Sequence, residues 1–278
     1  MHLWHALILG IVEGITEFLP ISSTGHLTIL EKILGYKIDN PGITAFTAII
    51  QVGATISTLV YFWKDIVTIV RGWVKGLFHA DQRHKASYRF GWAIIVGSIP
   101  IAIVGLAFKH EIETSLRSLW IVATGLIVWG LVMAVADRVG NSNRPGKDAT
   151  WKETLIIGIA QCLALIPGVS RSGATISVGL FRGFDRLAAT KLSFFLAIPA
   201  LLAASALEAL TNYKDISSGV GWPATIVATI ASGVVAYMVI AWLLKYIARH
   251  TYTIFITYRL ILGVVLIILL ATHTLSAT

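Results

Sequence analysis

The feature that most limits how this chain can fold is a set of six long apolar runs, at 44–63, 90–108, 119–136, 192–210, 222–244 and 254–271, each with at most one charged residue inside. About 20 such residues in a helix match the hydrocarbon core of a bilayer. Two further apolar segments, 3–34 and 153–185, are broken near the middle by Pro20-Ile-Ser-Ser-Thr-Gly25 and by Pro167-Gly-Val-Ser-Arg-Ser-Gly173. Irregular backbone at membrane depth is tolerated only where protein or a water-filled cavity satisfies its polar groups, so both read as re-entrant helix-loop-helix hairpins with buried tips. Charged residues make up 13% of the chain, against about a quarter in soluble domains. A soluble enzyme is excluded. The net charge of +8 lies between the apolar runs, where a positive-inside bias accounts for it without nucleic acid. Cys162, the single cysteine, forms no internal disulfide and has no partners at zinc-ligand spacing. The start Met1-His-Leu-Trp-His5 lacks the pattern of a cleaved signal peptide, so the first apolar segment is expected to stay.

The two broken segments align at an offset of 148. Leu7/Leu155, Ile8/Ile156, Gly10/Gly158, Ile11/Ile159, Ser22/Ser170 and Gly25/Gly173 are identical, and Glu13 falls on Gln161. This is an internal repeat. It divides the chain into a first repeat, 1–136, a polar linker, 137–152, and a second repeat, 153–278. Each repeat holds one hairpin and three spans, and an odd number of crossings inverts the second half. The expected fold is therefore an all-α polytopic membrane protein with six full spans plus two re-entrant hairpins in an inverted-topology repeat. Fifteen Lys and Arg residues fall on the side that receives 64–89, 137–154, 182–191 and 245–253. Only Lys32, Lys37, Lys109, Arg117 and Lys214 fall on the other. The richer side is expected to be cytoplasmic, with both termini and the mouth of the first hairpin outside.

In the first hairpin Glu13 and Glu17 stand at i and i+4, on one helix face. Two carboxylates so close in a low-dielectric site are tolerable if one is protonated or a cation lies between them, and a hard divalent ion such as Mg²⁺ or Ca²⁺ suits their oxygens. A single membrane glutamate can be an ordinary polar contact or a snorkelling end residue. Two of them before a Ser/Thr break point to function. Beyond the break, His26 is spaced to assist Ser23 as a nucleophile, while Ser22 and Thr24 suit helix caps or phosphate contacts. In the second hairpin Ser170, Arg171, Ser172 and Thr175 offer a guanidinium fork and hydroxyls at a helix N-terminus, the chemistry of phosphate recognition. Arg171 could equally neutralise a glutamate. Gln51 in the first span could line the same cavity or bond a neighbouring helix. Arg259, one turn inside the last span, could snorkel to the cytoplasmic surface and is otherwise a secondary candidate for the site.

These residues resemble the undecaprenyl-diphosphate phosphatases of bacteria, the bacitracin-resistance type of integral membrane enzyme. Glu13-x-x-x-Glu17-Phe-Leu-Pro-x-Ser-Ser-Thr-Gly-His26 is similar to that family's glutamate-rich motif, and Pro167-Gly-x-Ser-Arg-Ser-Gly-x-Thr175 to its second signature. The likeness runs through essentially the whole chain, including Gln51-Val-Gly and Tyr258-Arg259. It implies hydrolysis of undecaprenyl diphosphate in the bacterial inner membrane, regenerating the lipid phosphate carrier for cell-wall synthesis. It also implies divalent-metal dependence and, as is frequent in that family, a homodimer. The family's glutamate pair falls on Glu13 and Glu17, its Ser/Thr/His set on Ser22, Ser23, Thr24 and His26, and its phosphate loop on Ser170, Arg171, Ser172 and Thr175.

The expected activity is thus phosphoryl transfer on a polyprenyl diphosphate at the outer face. Arg171 and the hydroxyls around it, with Gln51, would bind substrate, a metal on Glu13 and Glu17 would balance developing charge, and Ser23 or a metal-activated water would attack. An anionic-lipid transporter is the rival, because paired broken helices in inverted repeats are a transporter signature. A carrier needs no nucleophile. A scaffold would leave the buried charges unexplained.

Overall fold

Helix boundaries fall where the sequence supplies caps. Asn40 accepts from the amides of Gly42 and Ile43, and Pro41 follows at the first helical position. Thr150 and Glu153 form a reciprocal capping box, and Asp185 caps Ala188. The computed structural model describes all residues except 39, 114, 115, 117, 141–143, 147, 148 and 278, and for 113 and 218 the backbone alone. The expected outer cation Arg117 and parts of the expected linker lie outside the described residues.

The helices are α1 (Leu3–Thr16), α2 (Ser23–Ile33), α3 (Pro41–Tyr61), α4 (Trp63–Phe78), α5 (Ala86–Ala107), α6 (Lys109–Glu113) and α7 (Leu119–Val139), then α8 (Trp151–Gln161), α9 (Arg171–Phe181), α10 (Arg186–Thr211), α11 (Tyr213–Asp215), α12 (Trp222–Ile247) and α13 (Thr253–Ala271). Among the described residues the chain is helical with no named strand. Six helices, α3, α5, α7, α10, α12 and α13, are long and apolar enough to cross a membrane, and they coincide with the six runs read from sequence. Their outer faces stay apolar. Val128, Leu131, Val135 and Val139 on α7 and Ile226, Ile230 and Val234 on α12 are exposed rows, larger than a water-soluble surface tolerates and suited to lipid.

One further long helix lies outside the spans and the broken segments. The cationic stretch after the first span, counted above only for its charge, forms helix α4, because Ile66, Ile69, Trp73 and Leu77 recur at helical spacing between Lys64, Arg71 and Lys75. Charge averaged over a window hides such an amphipathic period.

Both broken segments are helix-break-helix units. α1 packs on α12 and α8 on α5, each through a glycine. A Cβ on Gly10 would meet the Ala228 carbonyl oxygen at 2.3 Å, and one on Gly158 would meet that of Gly97 at 2.0 Å. The largest buried cluster carries an aromatic chain, with Phe18 edge-on to Phe194 at 5.0 Å and Phe62 against Phe195 at 5.2 Å. Phe18 follows Glu17 directly, so core packing anchors the first break.

Candidate active site

α1 ends at Thr16, and Glu17 retains helical geometry as its C-cap. Glu13 and Glu17 therefore do share a face, and both are buried. Glu17 carries the polar contacts. Its Oε2 accepts from Ser23 Oγ at 2.7 Å and its Oε1 from Arg171 Nη2 at 3.1 Å. Neither carboxylate oxygen of Glu13 has a hydrogen-bond partner, although the side chain is fully buried.

The breaks share one local geometry. Ser22 (φ 75°) and Ser170 (φ 76°) both lie on the left-handed side of the backbone map, a strain of about 1–3 kcal/mol each. Each hydroxyl accepts an amide three residues on, Gly25 N at 3.2 Å and Gly173 N at 3.1 Å. These caps turn α2 and α9 so that their first residues, Ser23 and Arg171, converge on Glu17. Arg171 also donates to the Ser193 carbonyl at 3.1 Å, and Thr175 donates to the Ser193 hydroxyl at 2.7 Å. Ser172 donates to the Leu19 carbonyl at 3.0 Å, joining one break to the other, and lies 3.1 Å from the Ser170 hydroxyl.

The remaining expected residues divide. Ser22 is a cap. Thr24 is exposed at the start of α2, where only its carbonyl is engaged, by Thr28. His26 does not face Ser23. Its Nδ1 lies 2.7 Å from the Ser22 carbonyl and its Nε2 2.7 Å from the Tyr258 hydroxyl, with the two rings stacked. The helix start leaves the Ser22 carbonyl open to the ring, so the expected Ser23–His26 pair gives way to Ser23–Glu17. Gln51 is half-buried on α3, and its amide makes no hydrogen bond among the described residues. The bond to a neighbouring helix expected of it is not formed.

For Arg259 the snorkelling alternative falls. It does not snorkel but is wholly buried. Its guanidinium donates to the carbonyls of Pro20 (3.0 Å), Gly168 (2.8 Å) and Val169 (2.9 Å). Distance from the end of a span does not reveal whether a cation turns toward water or toward open carbonyls in a break. Ser193 and Tyr258 were not among the expected site residues. Tyr258 was visible only as part of a motif, and Ser193, in an apolar helix, carried no local signal.

The arrangement provides a half-buried hydroxyl bonded to a carboxylate, a cationic fork on that carboxylate's other oxygen, and a second carboxylate with open oxygens. A family model described as bacitracin resistance protein BacA matches residues 6–265. The chain is 61% identical to undecaprenyl-diphosphatase 3 of Frankia casuarinae, with all of both chains covered. It is 54% identical to the undecaprenyl-diphosphatase of Cutibacterium acnes, again over all of both. With undecaprenyl-diphosphatase 1 of Streptomyces avermitilis the identity is 50% over 98% of this chain and 97% of that one.

Proposed function

Because the chain belongs to the bacitracin resistance BacA family, we propose that it acts as its relatives are named: it is an undecaprenyl-diphosphatase, a multi-pass membrane hydrolase that converts undecaprenyl diphosphate to undecaprenyl phosphate and inorganic phosphate. The carrier is thereby returned to cell-wall synthesis. The observation that carries this reading is the Ser23–Glu17–Arg171 chain of hydrogen bonds across the two breaks. A binding protein has no need of a hydroxyl hydrogen-bonded to a carboxylate.

In this mechanism Arg171 and the first amides of α9 hold the diphosphate. Ser23 Oγ attacks the terminal phosphorus while Glu17 accepts its proton. The bridging P–O bond breaks, and Glu17 passes the proton to the departing lipid phosphate. Water then attacks the phosphoserine, its proton returns through Glu17 to Ser23 Oγ, and phosphate leaves. Direct attack by water, with Glu17 as the same base, uses the same residues without the serine ester.

A hard divalent cation, Mg²⁺ or Ca²⁺, fits Glu13 and Glu17, since the Glu13 oxygens are buried without a donor. Among the described residues no group of three His, Cys, Asp or Glu gathers at metal-binding distance. That suits an ion which takes one or two carboxylates and completes its shell with water and phosphate oxygens. Such an ion supplies positive charge against the phosphoryl oxygens.

The breaks belong to re-entrant hairpins, and 1–136 and 153–278 form an inverted repeat joined by a cytoplasmic linker at 137–152. Support comes from the matched Ser22 and Ser170 geometry and from the crosswise packing of α1 on α12 and α8 on α5 through Gly10 and Gly158. The deciding experiment is phosphate release from undecaprenyl diphosphate by purified protein in detergent, where no two compartments exist, with and without chelator. Release that chelator abolishes is expected. No release by folded protein with metal present overturns the reading.

A further inference from the structure

Arg259 is a buried cation that no carboxylate among the described residues pairs with. Isolated buried charge is costly, so a site that keeps one must offer dense compensation. Here the compensation is carbonyl oxygen from three separate elements: Pro20 in the first break, Gly168 and Val169 in the second, and more distantly Gly125 and Leu126 on α7, at 3.3 and 3.4 Å. Gly173 makes room for it, since a Cβ there would stand 2.9 Å from Arg259 Nη1. The neighbouring residue on α13, Tyr258, holds His26 at 2.7 Å. Two adjacent residues of one helix thus reach both broken segments from behind.

We infer that Arg259, with Tyr258 beside it, is a positioning residue: its guanidinium sets the register of the two breaks, so that Arg171 on one meets Glu17 on the other. This rests on the hydrolase reading for its kinetic arm only. Arg259 is fully buried and donates to backbone carbonyls and, at 3.6 Å, to the Met133 sulfur, so it governs how the reacting groups are aligned rather than how substrate is held. A planar fork can span carbonyls on both breaks, which a lysine ammonium, a single compact charge, cannot. Misplacement of reacting groups by about 1 Å costs on the order of 100-fold in rate.

The test has two arms on the full-length protein in detergent. In Arg259→Lys, kcat for phosphate release should fall about 100-fold while KM stays within about threefold, the signature of lost alignment rather than lost binding. In hydrogen-exchange mass spectrometry, backbone amides at 17–25 and 166–173 should gain exchange together, with α3 and α12 unchanged. Near-wild-type kcat, a rise in KM alone, or faster exchange in only one break would overturn the proposal. If Arg259→Lys does not fold, Arg259→Gln takes its place, and failure of both would assign the residue to folding and overturn the positioning role. If wild-type protein releases no phosphate, the hydrolase reading fails, while the exchange arm still decides whether Arg259 couples the breaks.

Discussion

Glu17 is held at both oxygens, by Ser23 at 2.7 Å and by Arg171 at 3.1 Å, whereas Glu13 is held at neither. On the proposed mechanism the two carboxylates of one face would have different work, proton transfer and cation binding for Glu17 and cation binding alone for Glu13. Glu13→Gln should raise the metal concentration needed for half-maximal activity, and Glu17→Gln should do so and lower kcat as well. Unchanged metal titrations in both variants would remove the cation from the glutamates. Arg171→Lys keeps the charge but loses the fork, and turnover should fall about 100-fold or more in protein that still folds. Near-normal turnover would reduce Arg171 to a counter-ion for Glu17. Ser23 is best tested by rapid-quench mass spectrometry for a phosphorylated peptide, since Ser23→Ala removes both a nucleophile and a donor to Glu17. Hydrolysis with no such peptide on any timescale would favour direct attack by water. At this scale the sequence was informative wherever charge is expensive. Glu13, Glu17 and Arg171 stood out because membrane interiors admit few ions. The partner of Ser23 was not legible, because a spacing of three places His26 near Ser23 on a helix without fixing where its ring turns.

The breaks are elements in their own right, and glycine geometry shows how tightly they are seated. Gly168 has φ +94°, and a Cβ on it would stand 2.3 Å from the Val122 carbonyl oxygen of α7. Gly35 also has positive φ, but nothing lies within 4 Å of its Cβ position. Gly168→Ala should therefore combine backbone strain with a clash that pushes the second break off α7. Gly35→Ala bears strain of about 1 kcal/mol or somewhat more. Thermal unfolding in detergent should show a clearly larger loss for Gly168→Ala, accompanied by reduced turnover. Equal losses would mean that the second break is not braced on α7. The spans were readable because length and apolarity are one-dimensional properties. α4 was not, since its helical period is carried by residues alternating with lysine and arginine. Nor was the burial of Arg259, which depends on two breaks distant in sequence and adjacent in space.

The two ends of the whole molecule are tied by different contacts. At one end Arg186 pairs with Asp137, whose other oxygen accepts from the Tyr252 amide at 3.0 Å, and Arg144 pairs with Glu153 at the start of α8. The end of α7 and the starts of α8, α10 and α13 meet there. At the opposite end the Met1 ammonium donates to the Val220 carbonyl beside the start of α12, and the Leu119 amide at the start of α7 donates to the Ala277 carbonyl. Both termini thus lie at the end opposite those ion pairs, and the positive-inside tendency leads us to expect that end at the outer face. The entry side of a hairpin does not strictly fix where its tip meets water, so accessibility has to be measured at the tip itself. Thr24 is the suitable position, exposed and next to Ser23. In a Cys162→Ala background, Thr24→Cys should react with a membrane-impermeant thiol reagent added outside intact cells, and a non-hydrolysable diphosphate lipid should protect it. Labelling only from the cytoplasmic side of inverted vesicles would reverse the orientation. Labelling from either side in turn would mean that the site alternates between faces, a behaviour that hydrolysis at a fixed outer face does not produce.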